Sequence, residues 1–165
     1  MDNSKDYVGI QIYNATYFYY LNKQFDLLET VFFILRKKFN QVTYLHLFHH
    51  ISVSSGTWYG TKYYPGGNPV VSGLLNSAVH ILMHTYYTMS LLKIKKFMRL
   101  KKYITQIQLL QFLALLFYVG GVFFISNCQY EIVPTILVLF ESGYMLYLFS
   151  KFYITTYINP QKKNL

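Results

Sequence analysis

Residues 103–130 read YITQIQLLQFLALLFYVGGVFFISNCQY and contain no Asp, Glu, Lys or Arg. A helix rises about 1.5 Å per residue, so roughly 20 mostly apolar residues cover the hydrocarbon core of a bilayer. This stretch is long enough for one crossing, and the pattern recurs on either side of it. Residues 39–61 and 63–92 are equally free of charge, and 132–150 carry Glu141 alone. A fifth candidate, 17–35, is weaker because it carries Lys23, Asp26 and Glu29. Together these segments predict an all-α, polytopic membrane helix bundle of about five transmembrane helices, at about 17–35, 42–60, 70–92, 104–126 and 132–157. Pro65, Gly66, Gly67 and Pro69 break the chain after the second, Asn127 and Pro134 bracket the loop before the fifth, and Asn159-Pro160 ends it.

Composition agrees. Hydrophobic residues make up 53% of the chain and charged residues 13%, against about 25% charged in a typical soluble domain. A soluble helical bundle would need polar outer faces, which these segments lack. The net charge of +9 invites a nucleic-acid reading, but the placement of the charges fits the positive-inside rule better. Arg36, Lys37 and Lys38 follow the first segment, and Lys93, Lys95, Lys96, Arg99, Lys101 and Lys102 lie between the third and fourth. Lys151, Lys162 and Lys163 close the chain, while the alternate loops carry only Lys62. The expected partner is therefore the lipid bilayer and not nucleic acid, with the N-terminus lumenal and the C-terminus cytosolic.

One domain is expected over 1–165, without repeats or a low-complexity linker. No basic stretch followed by an apolar run marks a cleavable signal at the start. The single cysteine, Cys128, cannot build an internal disulfide framework. Asn14-Ala15-Thr16 is a glycosylation sequon on the side read as lumenal. Lys162-Lys163-Asn164-Leu165 has the register of a dilysine endoplasmic-reticulum retrieval signal.

The chemistry-bearing residues are histidines. His46, His49 and His50 stand at offsets of three and four, which puts them on one face of the second helix. His80 and His84 share a face of the third, with Asn76 one turn earlier. Polar groups within a bilayer are costly and usually face the bundle interior, so the two faces are expected to meet. Imidazole is the commonest metal ligand. The string His-x-x-His-His also occurs in membrane di-iron desaturases and hydroxylases, but those need about eight histidines in several boxes. A single zinc stays open as an alternative, with no neighbouring cysteine to complete its site. Imidazole can also carry an acyl group and shuttle a proton near neutral pH.

The string from Leu28 through Lys38 leads into Phe39-Asn40-Gln41-Val42-Thr43-Tyr44-Leu45-His46-Leu47-Phe48-His49-His50. This resembles the ELO family of very-long-chain fatty-acid elongases. Further motifs follow in family order: Asn76-Ser77-Ala78-Val79-His80 with Met83, Tyr86 and Tyr87, then Lys101 through Thr105 with Gln108, Gln111 and Phe112, then Phe152-Tyr153 with Tyr157. The resemblance implies the condensing step of fatty-acid elongation in the endoplasmic-reticulum membrane, in which acyl-CoA and malonyl-CoA give 3-oxoacyl-CoA, carbon dioxide and CoA. It implies no metal and no cofactor, the two thioesters being substrates. It also implies an acyl group held on His49 with His80 as partner, and His46 and His50 orienting that pair or handling protons. Arg36, Lys37, Lys38, Lys101 and Lys102 are candidate contacts for CoA phosphates, and Gln41, Asn76, Tyr86 and Tyr87 candidate polar contacts to substrate. Other elongation-cycle enzymes or a homologous elongase are the implied protein partners.

Three departures qualify the resemblance. The family has seven spans, and the first two find no counterpart among these five. His84 stands where the family usually has tyrosine. Asn22, Asp26, Glu29 and Ser150 replace the usual Ser, Glu, Asp and Asn. Competing expectations are therefore an inactive fragment, a non-catalytic membrane subunit, and a metal-dependent lipid desaturase or hydroxylase.

Overall fold

The computed structural model describes residues 3–65, 68–92, 94, 100–125 and 132–159. Cys128, Lys93, Lys95, Lys96, Arg99 and the Lys162-Lys163 pair lie outside them. Among the described residues five α-helices form: α1 (Asn3–Leu35), α2 (Tyr44–Tyr63), α3 (Asn68–Leu91), α4 (Lys101–Ile125) and α5 (Ile132–Tyr153). A 3-10 turn spans Phe39–Gln41, and a π-helical turn, Ile154–Ile158, extends α5. No strand occurs among the described residues. Two of the helical segments, Lys101–Gly121 and Ile132–Ile158, are long and apolar enough to cross a membrane, with mean hydropathies of 1.5 and 1.7. α1 carries internal charges, and α2 is rich in His, Ser, Thr and Tyr, which lowers its mean hydropathy although it carries only Lys62.

The first helix begins at Asn3, well before the expected 17. A window the width of a bilayer locates an apolar span, and α1 runs past that width with polar residues on its first turns. The sequon therefore lies inside a helix. Asn14 is exposed there, and Thr16 Oγ1 donates to the Tyr13 carbonyl at 2.8 Å.

The chain packs as two compact units, one of Met1–Gly73 with Gln129–Leu137, the other of Leu74–Cys128 with Val138–Leu165. In the first unit α1 and α2 run antiparallel, joined by polar side chains along their length. Thr61 Oγ1 donates to the Thr16 carbonyl at 3.3 Å, Gln24 Nε2 to Ser54 Oγ at 2.6 Å, and Thr30 Oγ1 shares a 3.0 Å bond with His46 Nε2. As the α1 number rises, the α2 number falls by nearly the same amount, as an antiparallel register requires. Lipid tails are as apolar as leucine, so helices in a bilayer hold together through packing and such hydrogen bonds, worth about 0.6 kcal/mol each on average. The Tyr19 ring packs close on Gly73, where an added Cβ would lie 3.3 Å from it.

Residues 36–43 link α1 to α2 and reverse the chain. Lys38 N–H donates to the Phe33 carbonyl and Lys37 N–H to that of Ile34, both at 2.9 Å, and Lys37 adopts φ 55°. This is a Schellman cap built on a lysine, where glycine would be unstrained. Thr43, extended at φ −85° and ψ 160°, then caps α2 by accepting from the His46 N–H at 3.2 Å.

In the second unit α4 and α5 are also antiparallel. Phe112 packs on Phe149 with ring centroids 5.4 Å apart, and Gln106 Nε2 donates to Tyr153 Oη at 2.9 Å. Val119 and Met145 are fully buried, with Leu115, Phe112 and Phe149 nearly so. Phe117, Leu110, Phe140 and Tyr147 of the same helices are exposed, the inverse of a soluble surface and suited to lipid.

Candidate active site

The α2 histidines sit in the first two turns of their helix, and Thr43 sets where those turns begin. That end of a helix presents unpaired N–H groups and favours negative charge. His50 is buried, and His46 and His49 are half-buried. The His46 and His50 ring centroids are 4.3 Å apart, and His49 meets His50 edge-on at 5.5 Å.

Two consecutive residues of α1 face this cluster. Thr30, itself buried, bonds His46 Nε2 at 3.0 Å. Glu29 Oε2 lies 4.0 Å from His50 Nε2, close enough to stabilise an imidazolium there. Nearly two turns earlier Lys23 is buried, with its ammonium 2.8 Å from Asp26 Oδ2 and 5.2 Å from the Tyr19 ring centroid. Lys23 and Asp26 thus form an i,i+3 pair on one face of α1. The placement of Glu29 beside His50 was not legible from spacing along α2, because Glu29 comes from another helix. The only signal was an acid in an otherwise apolar run, Leu28 to Leu35.

The remaining candidates of this unit are Arg36, Lys37, Lys38 and Gln41, all exposed in the turn that links α1 to α2. Lysine and arginine side chains there are free to reach solvent-borne phosphates. The second unit holds the others. Asn76 and His80 are buried on α3, four residues apart, and His84 is exposed one turn on, its ring 5.6 Å from that of His80. Tyr87 stacks edge-on with His84 at 6.4 Å and beside Tyr86 at 5.7 Å. Lys101 and Lys102 are exposed at the start of α4.

Gln108 and Gln111, three apart on α4, both turn inward. Gln108 Nε2 reaches Met83 Sδ at 3.6 Å, while the buried Gln111 Nε2 has no hydrogen-bond partner among the described residues. The π-helical turn falls on the closing motif. Asn159 N–H bonds the Ile154 carbonyl at 2.7 Å, widening the helix so that the Tyr157 ring lies 5.2 Å from that of Tyr153. Such single π turns occur frequently at functional sites.

The family model described as ELO, the GNS1/SUR4 family, matches residues 2–165. The chain is similar to very long chain fatty acid elongase 7 of Rattus norvegicus, 33% identical over 98% of this chain and 59% of that protein. It is 37% identical to elongase 2 of Mus musculus over 94% of this chain and 54% of that protein. Against elongase 1 of Homo sapiens the identity is 33%, over 98% of this chain and 59% of that protein. The chain thus spans somewhat more than half the length of these curated relatives. No solved structure matches it. On the extent of the family match and the order of its motifs, this chain belongs to the ELO (GNS1/SUR4) family.

Proposed function

We propose that this chain catalyses the condensing step of very-long-chain fatty-acid elongation. The observation that carries the reading is the α2 histidine cluster held from α1, with Thr30 on His46 and Glu29 opposite His50. His49 attacks the thioester carbon of an acyl-CoA. A carbon–nitrogen bond forms, the carbon–sulfur bond breaks, and CoA leaves with a proton supplied through the neighbouring imidazoles. Malonyl-CoA then loses carbon dioxide, and its enolate carbon attacks the acyl carbon and releases His49. Holding the two reactants together removes most of the entropic barrier to that second step. His46, fixed by Thr30, orients the cluster, and His50, beside Glu29, holds the proton that moves. His80 serves as the second catalytic histidine.

The setting follows from the same reading. The chain crosses the endoplasmic-reticulum membrane five times with its C-terminus cytosolic. The apolar acyl tail lies among the helices, and Arg36, Lys37, Lys38, Lys101 and Lys102 bind CoA phosphates as point charges and forks. Support comes from the names of the relatives, from two helices apolar enough to span, and from the side on which the basic residues fall.

Microsomes expressing the chain, given labelled malonyl-CoA and a panel of acyl-CoAs, should yield a product two carbons longer that is lost in His49→Ala. Correctly inserted protein with no product would overturn the catalytic reading in favour of a non-catalytic subunit.

A further inference from the structure

His46 and His50 are one helical turn apart on α2, and Glu29 of α1 stands beside them. One donor atom from each of the three side chains lies within 4.8 Å of the other two. Two imidazoles and one carboxylate make a three-ligand zinc set that leaves the fourth position to water. The i,i+4 spacing is the one that lets two helical histidines reach a single ion. Metal–ligand bonds of about 2.0–2.1 Å in a tetrahedron place donors roughly 3.3 Å apart, so closing on an ion takes about 1.5 Å of movement at side-chain tips. The α1–α2 backbone need not shift, because Glu29 has three rotatable bonds with which to supply it.

The surroundings favour the ion. The His50 and Glu29 side chains are only 6% and 23% exposed, so water screens the attraction between carboxylate and cation little. A nitrogen-rich set selects zinc-class ions over calcium or magnesium, which take oxygen ligands. Thr30 competes for His46 Nε2 and is displaced when the ion takes that nitrogen.

We propose that Glu29, His46 and His50 form a binding site for a zinc-class divalent cation. The ion is not a cofactor of the condensation. It is a ligand that occupies the two histidines flanking His49, and its binding stands whether or not the chain transfers acyl groups. Because the imidazoles must be deprotonated to coordinate, binding weakens as pH falls.

The test uses the full chain in detergent micelles, stripped of metal with a chelator and titrated with Co²⁺ alone. A saturable visible band of tetrahedral intensity is expected, quenched when Zn²⁺ displaces the cobalt. Glu29→Gln, nearly isosteric but without the charge, should weaken cobalt binding at least tenfold, whereas His84→Asn leaves it unchanged. Two measurements on the unaltered chain are independent of variant folding. Zinc-edge absorption should show only nitrogen and oxygen neighbours, with imidazole scattering. Diethylpyrocarbonate labelling of His46 and His50 should fall when Zn²⁺ is present. The proposal is overturned if the unaltered chain gives no tetrahedral band, if Glu29→Gln binds as tightly, or if protection falls on His80 and His84 instead.

Discussion

Replacing Thr30 with valine removes one hydroxyl and almost no volume, which isolates the 3.0 Å bond to His46 Nε2. Thr30 is 8% exposed, so water cannot replace the lost partner from the α1 side. His46 is half-buried, so water compensates in part on the other. A buried neutral hydrogen bond contributes about 1 kcal/mol net, and an unsatisfied partner costs about 1–3 kcal/mol. Interhelical bonds in membranes average about 0.6 kcal/mol and reach about 1.7. The expected loss is therefore about 1 kcal/mol, a shift of roughly fivefold in the unfolding equilibrium, read by denaturant titration in micelles. The effect on rate should be larger in proportion, because His46 loses the bond that fixes its ring. A drop of about tenfold in kcat, with KM for malonyl-CoA little changed, is the signature of lost positioning. Thr30→Ser keeps the hydroxyl and loses only a methyl group, so it should retain both stability and rate to within about threefold. If the valine and serine variants behave alike in both assays, the bond does not position His46.

Three further perturbations follow from the packing. Lys23 and Asp26 form a 2.8 Å ion pair with side chains 3% and 12% exposed. Lys23→Met removes the ammonium from beside the Asp26 carboxylate and should cost about 3 kcal/mol, whereas the double variant Lys23→Met with Asp26→Leu should lose less than the two single variants summed. A double-mutant cycle reads the coupling, and additive losses would contradict it. Lys37→Gly relieves a left-handed residue at φ 55° and should stabilise the chain by about 1 kcal/mol, while raising KM for malonyl-CoA through the lost charge. Met145→Ala opens space beside a fully buried side chain. Core truncations cost about 2–5 kcal/mol in soluble proteins, and the low end is expected here because contact with lipid already satisfies apolar surface. Thermal melting in micelles checks both the Lys37 and the Met145 values.

Much of the helical layout was legible in the chain itself. Runs of bilayer length with at most one charge mark α2 to α5 to within a few residues, because a long apolar run has few alternatives to a buried or lipid-facing helix. The start of α1 was not legible by that rule, since its first turns are polar, and helix formation there does not depend on a bilayer-length apolar window. The histidines announced themselves by spacing, which depends only on helical periodicity. Their partners did not. Thr30 reaches His46 across 16 positions and Glu29 reaches His50 across 21, and no local pattern encodes which α1 residues an antiparallel neighbour will face.

That division has one physical cause. Apolar length, charge asymmetry and i,i+4 spacing are local properties, so the sequence by itself determined an all-helical chain with histidines on one face of α2 and a family motif order to match. Register between helices is set by the collective fit of side chains, here by the bonds from Thr16 to Thr61, Gln24 to Ser54 and Thr30 to His46. Only the tertiary structure decided that register. With it came the pairing of Glu29 and Thr30 with the α2 histidines, because a shift of one residue along α1 would turn both away from the cluster.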